Sequence, residues 1–263
     1  MKILVPLAEA TEVDESFEIE DGDIPEKYVD FDLNEWDEYA LEVGVQLVED
    51  GTAEEVVTVT IGPERVEETI RKALAKGADR ARRIWDPVLE SNGYLDSQAK
   101  AALLEAVVAE EEPTLVLSGV QSSDTMFGAT GVSLAERVGY SWAAVVNELS
   151  VDVDASVVEV HRELEGGVEE LTTVELPAVC TIQTGITEPR YASLRGIRMA
   201  QQATIETDTL ESLGVDESIV DTPLEERSVQ KPVVESSAEM LEGDASETAQ
   251  ALASILVEKG VGQ

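Results

Sequence analysis

The chain has 263 residues, 43% hydrophobic and 28% charged, with 18 Lys and Arg against 56 Asp and Glu and a formal net charge of −38. Ample Val, Leu, Ile and Ala in periodic runs exclude a disordered chain, so the acidic excess must lie on the surface of a folded protein long enough to bury a core. Such a surface excludes nucleic acid as partner, since phosphates need Lys and Arg to neutralise them, and disfavours anionic membranes for the same reason.

Lys2–Leu7 reads as a short buried strand, and Ala8–Asp32 as an acidic, irregular excursion. Asn34 is placed to cap a helix, with Asp37 in its first turn where a carboxylate is favoured. Leu41, Val45 and Val48 continue that helix and Gly51 ends it. Glu55–Ile61 is a β-branched strand, and Gly62-Pro63 turns the chain into a helix carrying Val66, Ile70 and Leu74 that stops at Gly77. Ala81–Trp85 reads as a strand, Ser97–Glu110 as a helix and Thr114–Ser118 as another apolar strand. The loop Gly119–Thr125 follows, then a helix from about Phe127 to Val138. Val145–Val153, Val157–Leu164 and Val168–Leu176 alternate apolar with polar residues around a Gly166-Gly167 turn, and Ala178–Gln183 returns as a core strand. Thr207–Asp244 reads as an extended arm without its own core, before a final helix around Ser246–Lys259. The alternation of strands and helices predicts an α/β fold: an open, mostly parallel sheet with helices on both faces, an antiparallel hairpin insertion and an extended C-terminal arm.

In such a sheet, ligands bind at the carboxyl ends of strands near a switch in strand order. Pro6, Ile61-Gly62 and Gly119–Thr130 are the candidate strand ends. The last is a small, hydroxyl-rich loop feeding a helix N-terminus, which suits a phosphate but lacks the Walker lysine and the spaced glycines of a dinucleotide fingerprint. From its pattern the loop reads equally as a phosphate seat or an ordinary helix cap. Asp30–Asn34 begins like a calcium loop, but Glu35 stands where the turn needs Gly. His161 reads as a surface residue of an alternating strand and Cys180 as core, and the absence of a triad or metal cluster favours a binding role over covalent catalysis. Between Thr187 and Gln202, Arg190, Arg195 and Arg198 outnumber Glu188, the reverse of the chain's overall balance. With Pro189, Tyr191 and Leu194 this predicts a docking segment; the alternative is arginines paired with acids of the same chain.

At molar salt the electrostatic screening length falls to roughly 3 Å. The charge excess then ceases to repel itself, which points to a cytoplasmic protein of a cell with high internal salt. The start of the chain is unlike a signal peptide, and no run approaches the ~20 apolar residues of a membrane helix.

The stretch Thr187-Glu188-Pro189-Arg190-Tyr191-Ala192-Ser193-Leu194 resembles the hallmark of the β subunit of electron-transfer flavoproteins, with Thr187 in place of Asn. Gly166-Gly167, Leu176-Pro177-Ala178-Val179, Ile61-Gly62-Pro63 and Gly77-Ala78-Asp79-Arg80 match as well, so the resemblance runs from residue 1 to about 206 and weakly through the arm. It implies an adenine-nucleotide α-hydrolase-like fold, with a nucleotide-binding domain over 1–206 that includes a docking loop at 187–202. Residues 207–263 would be an arm and helix packing on the partner subunit. It also implies a heterodimer with an α subunit whose FAD, shared with or held by that subunit, carries electrons from flavin dehydrogenases towards a quinone-linked oxidoreductase. The chain would be an electron carrier rather than a stand-alone enzyme. By position, AMP would be bound by Pro6, Asn34, Glu35, Trp36, Asp37, Ile61, Gly119, Val120, Gln121, Ser122, Ser123, Asp124, Thr125, Met126, Phe127, Gly128, Ala129 and Thr130. Leu194 would enter an apolar pocket of the dehydrogenase. Ala8-Glu9, Asn34-Glu35, Gln201-Gln202 and the shortened match in the Gly119–Gly131 loop depart from the family pattern. They leave open a second FAD in this subunit and electron bifurcation. A universal-stress-type nucleotide sensor is the binding-module alternative; the Ser-Gly-Gly-x-Asp-Ser loop of an ATP pyrophosphatase is absent.

Overall fold

The computed structural model describes residues 1–90, 95–224, 227–232, 238 and 240–261. They form two compact units, Met1–Arg227 and Ser228–Gln263. In the first unit, a nine-stranded sheet among the described residues is built on β1 (Lys2–Pro6), β4 (Glu55–Ile61), β5 (Arg80–Ile84), β6 (Leu115–Gly119) and β10 (Ala178–Ile182). It is extended by β7 (Ser141–Asp152), β8 (Val157–Leu164), β9 (Val168–Glu175) and β11 (Glu206–Asp208). The strand order is β11-β5-β4-β1-β6-β10-β7-β8-β9, parallel from β11 to β7 and antiparallel from β7 to β9.

The central strands are apolar on both faces because helices cover both sides. Ile3 and Val5 of β1 join one hydrophobic cluster while Leu4 joins the other, as the two-residue period of a strand demands. On the first face lie α1 (Glu35–Glu49) and α2 (Glu67–Ala75), through Leu41, Val45 and Ile70. On the second lie α3 (Ser97–Glu111) and α4 (Thr130–Val138), through Leu103, Val107 and Leu134. From β1 the chain steps outward through β4 and β5, then crosses back to place β6 on the other side of β1. The strand order therefore reverses between β1 and β6, and a crevice opens at their carboxyl ends.

Three segments differ from their expected form. The excursion after β1 contains an antiparallel hairpin, β2 (Glu9–Val13) and β3 (Val29–Leu33), with Glu9 opposite Leu33. Largely solvated strands carry little apolar alternation, so side chains pin this one instead: Arg65 stacks 3.7 Å from the Phe31 ring centroid and pairs with Glu9, and Lys72 meets Asp32 at 2.7 Å. The segment 187–202 ends in a helix, α5 (Leu194–Gln202), capped by the Ser193 hydroxyl, which accepts from the Gly196 N–H at 3.0 Å. Beyond residue 206 the chain stays on the sheet. β11 pairs with β5, and α6 (Leu210–Leu213) and the turn at Glu217–Val220 bury Leu210 and Val220 in the second cluster. The first unit thus runs on to Arg227. In the second unit, α7 (Ala245–Glu258) is closed by a capping box between Asp244 and Glu247.

Opposite the crevice end of the sheet, the arginines of β5 are held by acids. Glu111, whose side chain is 8% exposed, accepts from Lys2 at 2.8 Å, Arg80 at 2.7 Å and Arg82 at 3.3 Å. Arg82 also meets Glu110 at 2.6 Å and Asp208 at 2.9 Å. The Arg80 and Lys2 contacts outweigh the cost of burial and hold the Glu111 carboxyl down at about 2. A depressed carboxyl stabilises fully above its unfolded value of 4.5 and ceases to do so as pH falls through about 2. Glu111→Gln leaves Lys2 without a carboxylate and weakens the hold on Arg80, which keeps Glu55, and on Arg82, which keeps Glu110 and Asp208; it should destabilise the chain by about 2 kcal/mol at neutral pH. Urea titrations should show the gap from wild type narrowing between pH 4.5 and 2; a gap that widens on acidification would contradict the assignment.

Candidate functional site

The crevice at the β1–β6 reversal is organised by one carboxylate. Asp37, in the first turn of α1, is buried and accepts from the Ala8 N–H at 2.7 Å and the Gly119 N–H at 2.9 Å. Two strand ends and a helix start are thereby fastened together. Burial pushes the Asp37 carboxyl up to about 6 despite these hydrogen bonds. The close approach requires glycine at position 119: a Cβ there would stand 2.4 Å from Asp37 Oδ1 and 2.7 Å from the Trp36 Cβ.

Asn34 occupies the cap position of α1, but its side chain does not cap the helix. The amide nitrogen instead donates to the Gln121 carbonyl at 2.8 Å, tying α1 to the loop after β6. Its Oδ1 is buried without a hydrogen-bond partner among the described residues. The loop is shaped by its own side chains. Asp124 accepts from the Ser122 hydroxyl at 2.6 Å, the Thr125 N–H at 2.7 Å and the Thr11 N–H of the hairpin at 3.3 Å. Met126 and Gly128 adopt left-handed backbone at φ 55° and 59°, which delays the helix expected from Phe127 until Thr130. The first turn of α4 has no side-chain cap, so its leading N–H groups remain available at the crevice.

These elements enclose a cavity of about 150 Å³. Of the residues expected there, Pro6, Asn34, Asp37, Ile61, Gly119, Val120, Gln121, Ser122, Thr125, Phe127, Gly128, Ala129 and Thr130 line it. Glu35, Ser123 and Met126 are exposed outside it, Asp124 braces the loop, and the Trp36 indole N–H donates to Gln183 Oε1 at 2.9 Å. The structure adds Leu7, Ala8, Glu9, Val59, Ser118 and, from α3, Ser97, Lys100 and Leu104. The spacing of Ser97, Lys100 and Leu104 marks one helix face, but no local pattern says that this face reaches the ends of distant strands. His161 is partly buried between Glu148 and Glu169, and Cys180 is in the core with its thiol pushed up to about 12 by burial.

The segment 187–202, expected to dock a partner, presents two kinds of arginine. Arg190 is clamped by Glu42 at 2.8 Å and Glu49 at 2.6 Å, the intrachain pairing that stood as the alternative to docking. Arg195 and Arg198 are exposed and form no ion pair among the described residues. Beside them Tyr191 is 98% exposed and Leu194 81%. The clamp fixes the root of the segment while its apolar tip faces solvent.

A family model described as the electron transfer flavoprotein domain matches residues 22–213, and the α/β fold is that of this class of domain. The chain is 40% identical to the electron transfer flavoprotein subunit beta of Methylophilus methylotrophus over 263 residues, 98% of each chain. It is 32% identical to that of Bacillus subtilis over 260 residues, 97% of each, and 38% identical to that of Bradyrhizobium diazoefficiens over 220 residues, 82% and 84% of the two chains. The chain belongs to the electron transfer flavoprotein β-subunit family.

Because the Gly119 contact is steric, Gly119→Ala must displace either the Asp37 carboxylate or the start of α1. A loss of about 2 kcal/mol is expected, read as a lower urea midpoint; an unchanged midpoint would show that the strand ends are not fastened in this way.

Proposed function

We propose that this chain is the β half of a heterodimeric electron carrier in which FAD is shared with or held by the α subunit, and that the crevice at the β1–β6 reversal binds AMP. The observation that carries the second half is the crevice itself. It combines an uncapped helix start, a buried acceptor, Asn34 Oδ1, without a partner among the described residues, and a cationic side chain, Lys100, with the apolar walls of Val59, Ile61 and Leu104. These are the complements of a phosphate, an amino group or ribose hydroxyl, and a flat base. Bound flavin supplies the one- and two-electron chemistry. The chain's own residues bind, orient and exclude: Asp37 fixes the strand ends, Asn34 and Asp124 hold the loop, and the β2–β3 hairpin covers one side through the Thr11–Asp124 contact.

Electrons enter, in this reading, from a flavin dehydrogenase docked on Tyr191, Leu194, Arg195 and Arg198, and leave towards a quinone-linked acceptor. Pro189 and the Arg190 clamp set the direction of that surface rather than contributing free charge to it. Among the described residues no helix is long and apolar enough to cross a membrane. We place the carrier in the cytoplasm of a cell with high internal salt, where screening quiets the repulsion of a −38 chain.

Wild type and Leu194→Ala, each purified with the α subunit, test both halves together. Both preparations should be yellow and release AMP on denaturation. The variant should accept electrons from its dehydrogenase about ten-fold more slowly, the effect of deleting one interface anchor. A colourless complex or one without releasable adenine nucleotide would overturn the cofactor reading, and unchanged transfer would overturn the docking reading.

A further inference from the structure

In a chain so rich in acids, twelve of the Lys and Arg side chains make ion pairs with carboxylates among the described residues. Lys100 is the exception that matters, because it is half-buried at the crevice. It lies on the first turn of α3, lining the crevice beside Ser97 and Leu104, and no carboxylate of the described residues comes within ion-pair distance. Three acids are near enough to act on it through space: Asp124, Asp37 and Asp96. Each is committed elsewhere. Asp37 receives the Ala8 and Gly119 N–H groups, and Asp124 receives Ser122, Thr125 and Thr11. Asp96 caps α3 through the Gln98 and Ala99 N–H groups, at 2.9 and 2.8 Å, and takes the Thr222 hydroxyl at 2.7 Å. A desolvated ammonium left in this state is costly, and burial lowers its proton affinity accordingly. What would complete it is an anion entering the crevice.

The position of that anion is set by the neighbouring helix. Gln98 donates from its amide to the Ser133 hydroxyl at 3.0 Å, joining the first turn of α3 to the first turn of α4. Lys100 and the uncapped N–H groups of α4 therefore serve the same end of the crevice. We propose that Lys100 is the residue that reads the charge of the bound nucleotide, pairing with its phosphate and selecting a nucleoside monophosphate over the unphosphorylated nucleoside. This rests on the crevice being a nucleotide site. It adds a specificity-determining side chain on a helix outside the strand-end loops.

The test is calorimetric titration of the α–β complex, stripped of nucleotide, with AMP and separately with adenosine, in wild type and Lys100→Met. Methionine matches the length of the lysine stem and leaves the apolar wall in place, and Lys100→Gln serves in the same way if the first variant does not assemble. Wild type should prefer AMP, and the variant should bind AMP about 30-fold more weakly with adenosine affinity unchanged, the size of one charge-assisted hydrogen bond. Unaltered AMP affinity in the variant overturns the proposal while the nucleotide site stands. An equal fall for both ligands also overturns it, because it makes Lys100 merely structural. Wild-type complex that binds neither ligand removes the nucleotide site and the proposal with it.

Discussion

A single buried carboxylate holds the crevice in shape. Asp37 reaches from the start of α1 to the backbone of Ala8 after β1 and of Gly119 at the end of β6, the two strands between which the sheet reverses. A reversal of this kind leaves strand ends splayed, with N–H groups that no neighbouring strand can satisfy. The carboxylate satisfies two of them at once. Its burial carries a cost, visible in a carboxyl pushed up to about 6. The geometry persists because the absent Cβ at residue 119 lets helix and strand approach and because Asn34, three residues earlier, ties the same helix start to the Gln121 carbonyl.

The charge distribution follows from the same scarcity of cations. With so few bases, many do structural duty: Arg80 and Arg82 lock β5 to α3 and β11, Arg65 and Lys72 pin the hairpin, and Arg190 ties the segment 187–202 to α1. Most of the remaining acids face solvent, where their mutual repulsion is a property of the medium as much as of the fold. A fold so organised concentrates positive charge at a few places. Two of them are the exposed pair Arg195 and Arg198, beside Tyr191 and Leu194, and the recessed Lys100, at the crevice.

Much of the fold was legible in the sequence, and the reasons are specific. β1, β4, β6 and β10 are runs of apolar or β-branched residues because both their faces are covered, and such runs admit few other readings. The loop 119–130 stood out because its small residues follow directly on one of these strands. What escaped notice depends on contacts between distant segments. EATEV and VDFDL carry no core pattern, since their hairpin is held by Arg65 and Lys72 from α2 and its approach. β11 is three residues long and exists by pairing with β5. The α5 helix hides in a segment whose apolar side chains, Leu194 and Met199, face solvent rather than the core. Nothing in the local pattern of the Ser97–Glu110 helix marks Lys100; the packing of α3 against α4 brings it to the crevice.

Hydrogen exchange, residue by residue, on the α–β complex with and without saturating AMP tests the central claim most directly. If the crevice fastened by Asp37 is the nucleotide site, added AMP should slow exchange at Ala8, at Gly119 and across the leading amides of α4, and leave β8 and β9 as they were. Amides of the crevice that exchange at the same rate with AMP as without it would contradict the account.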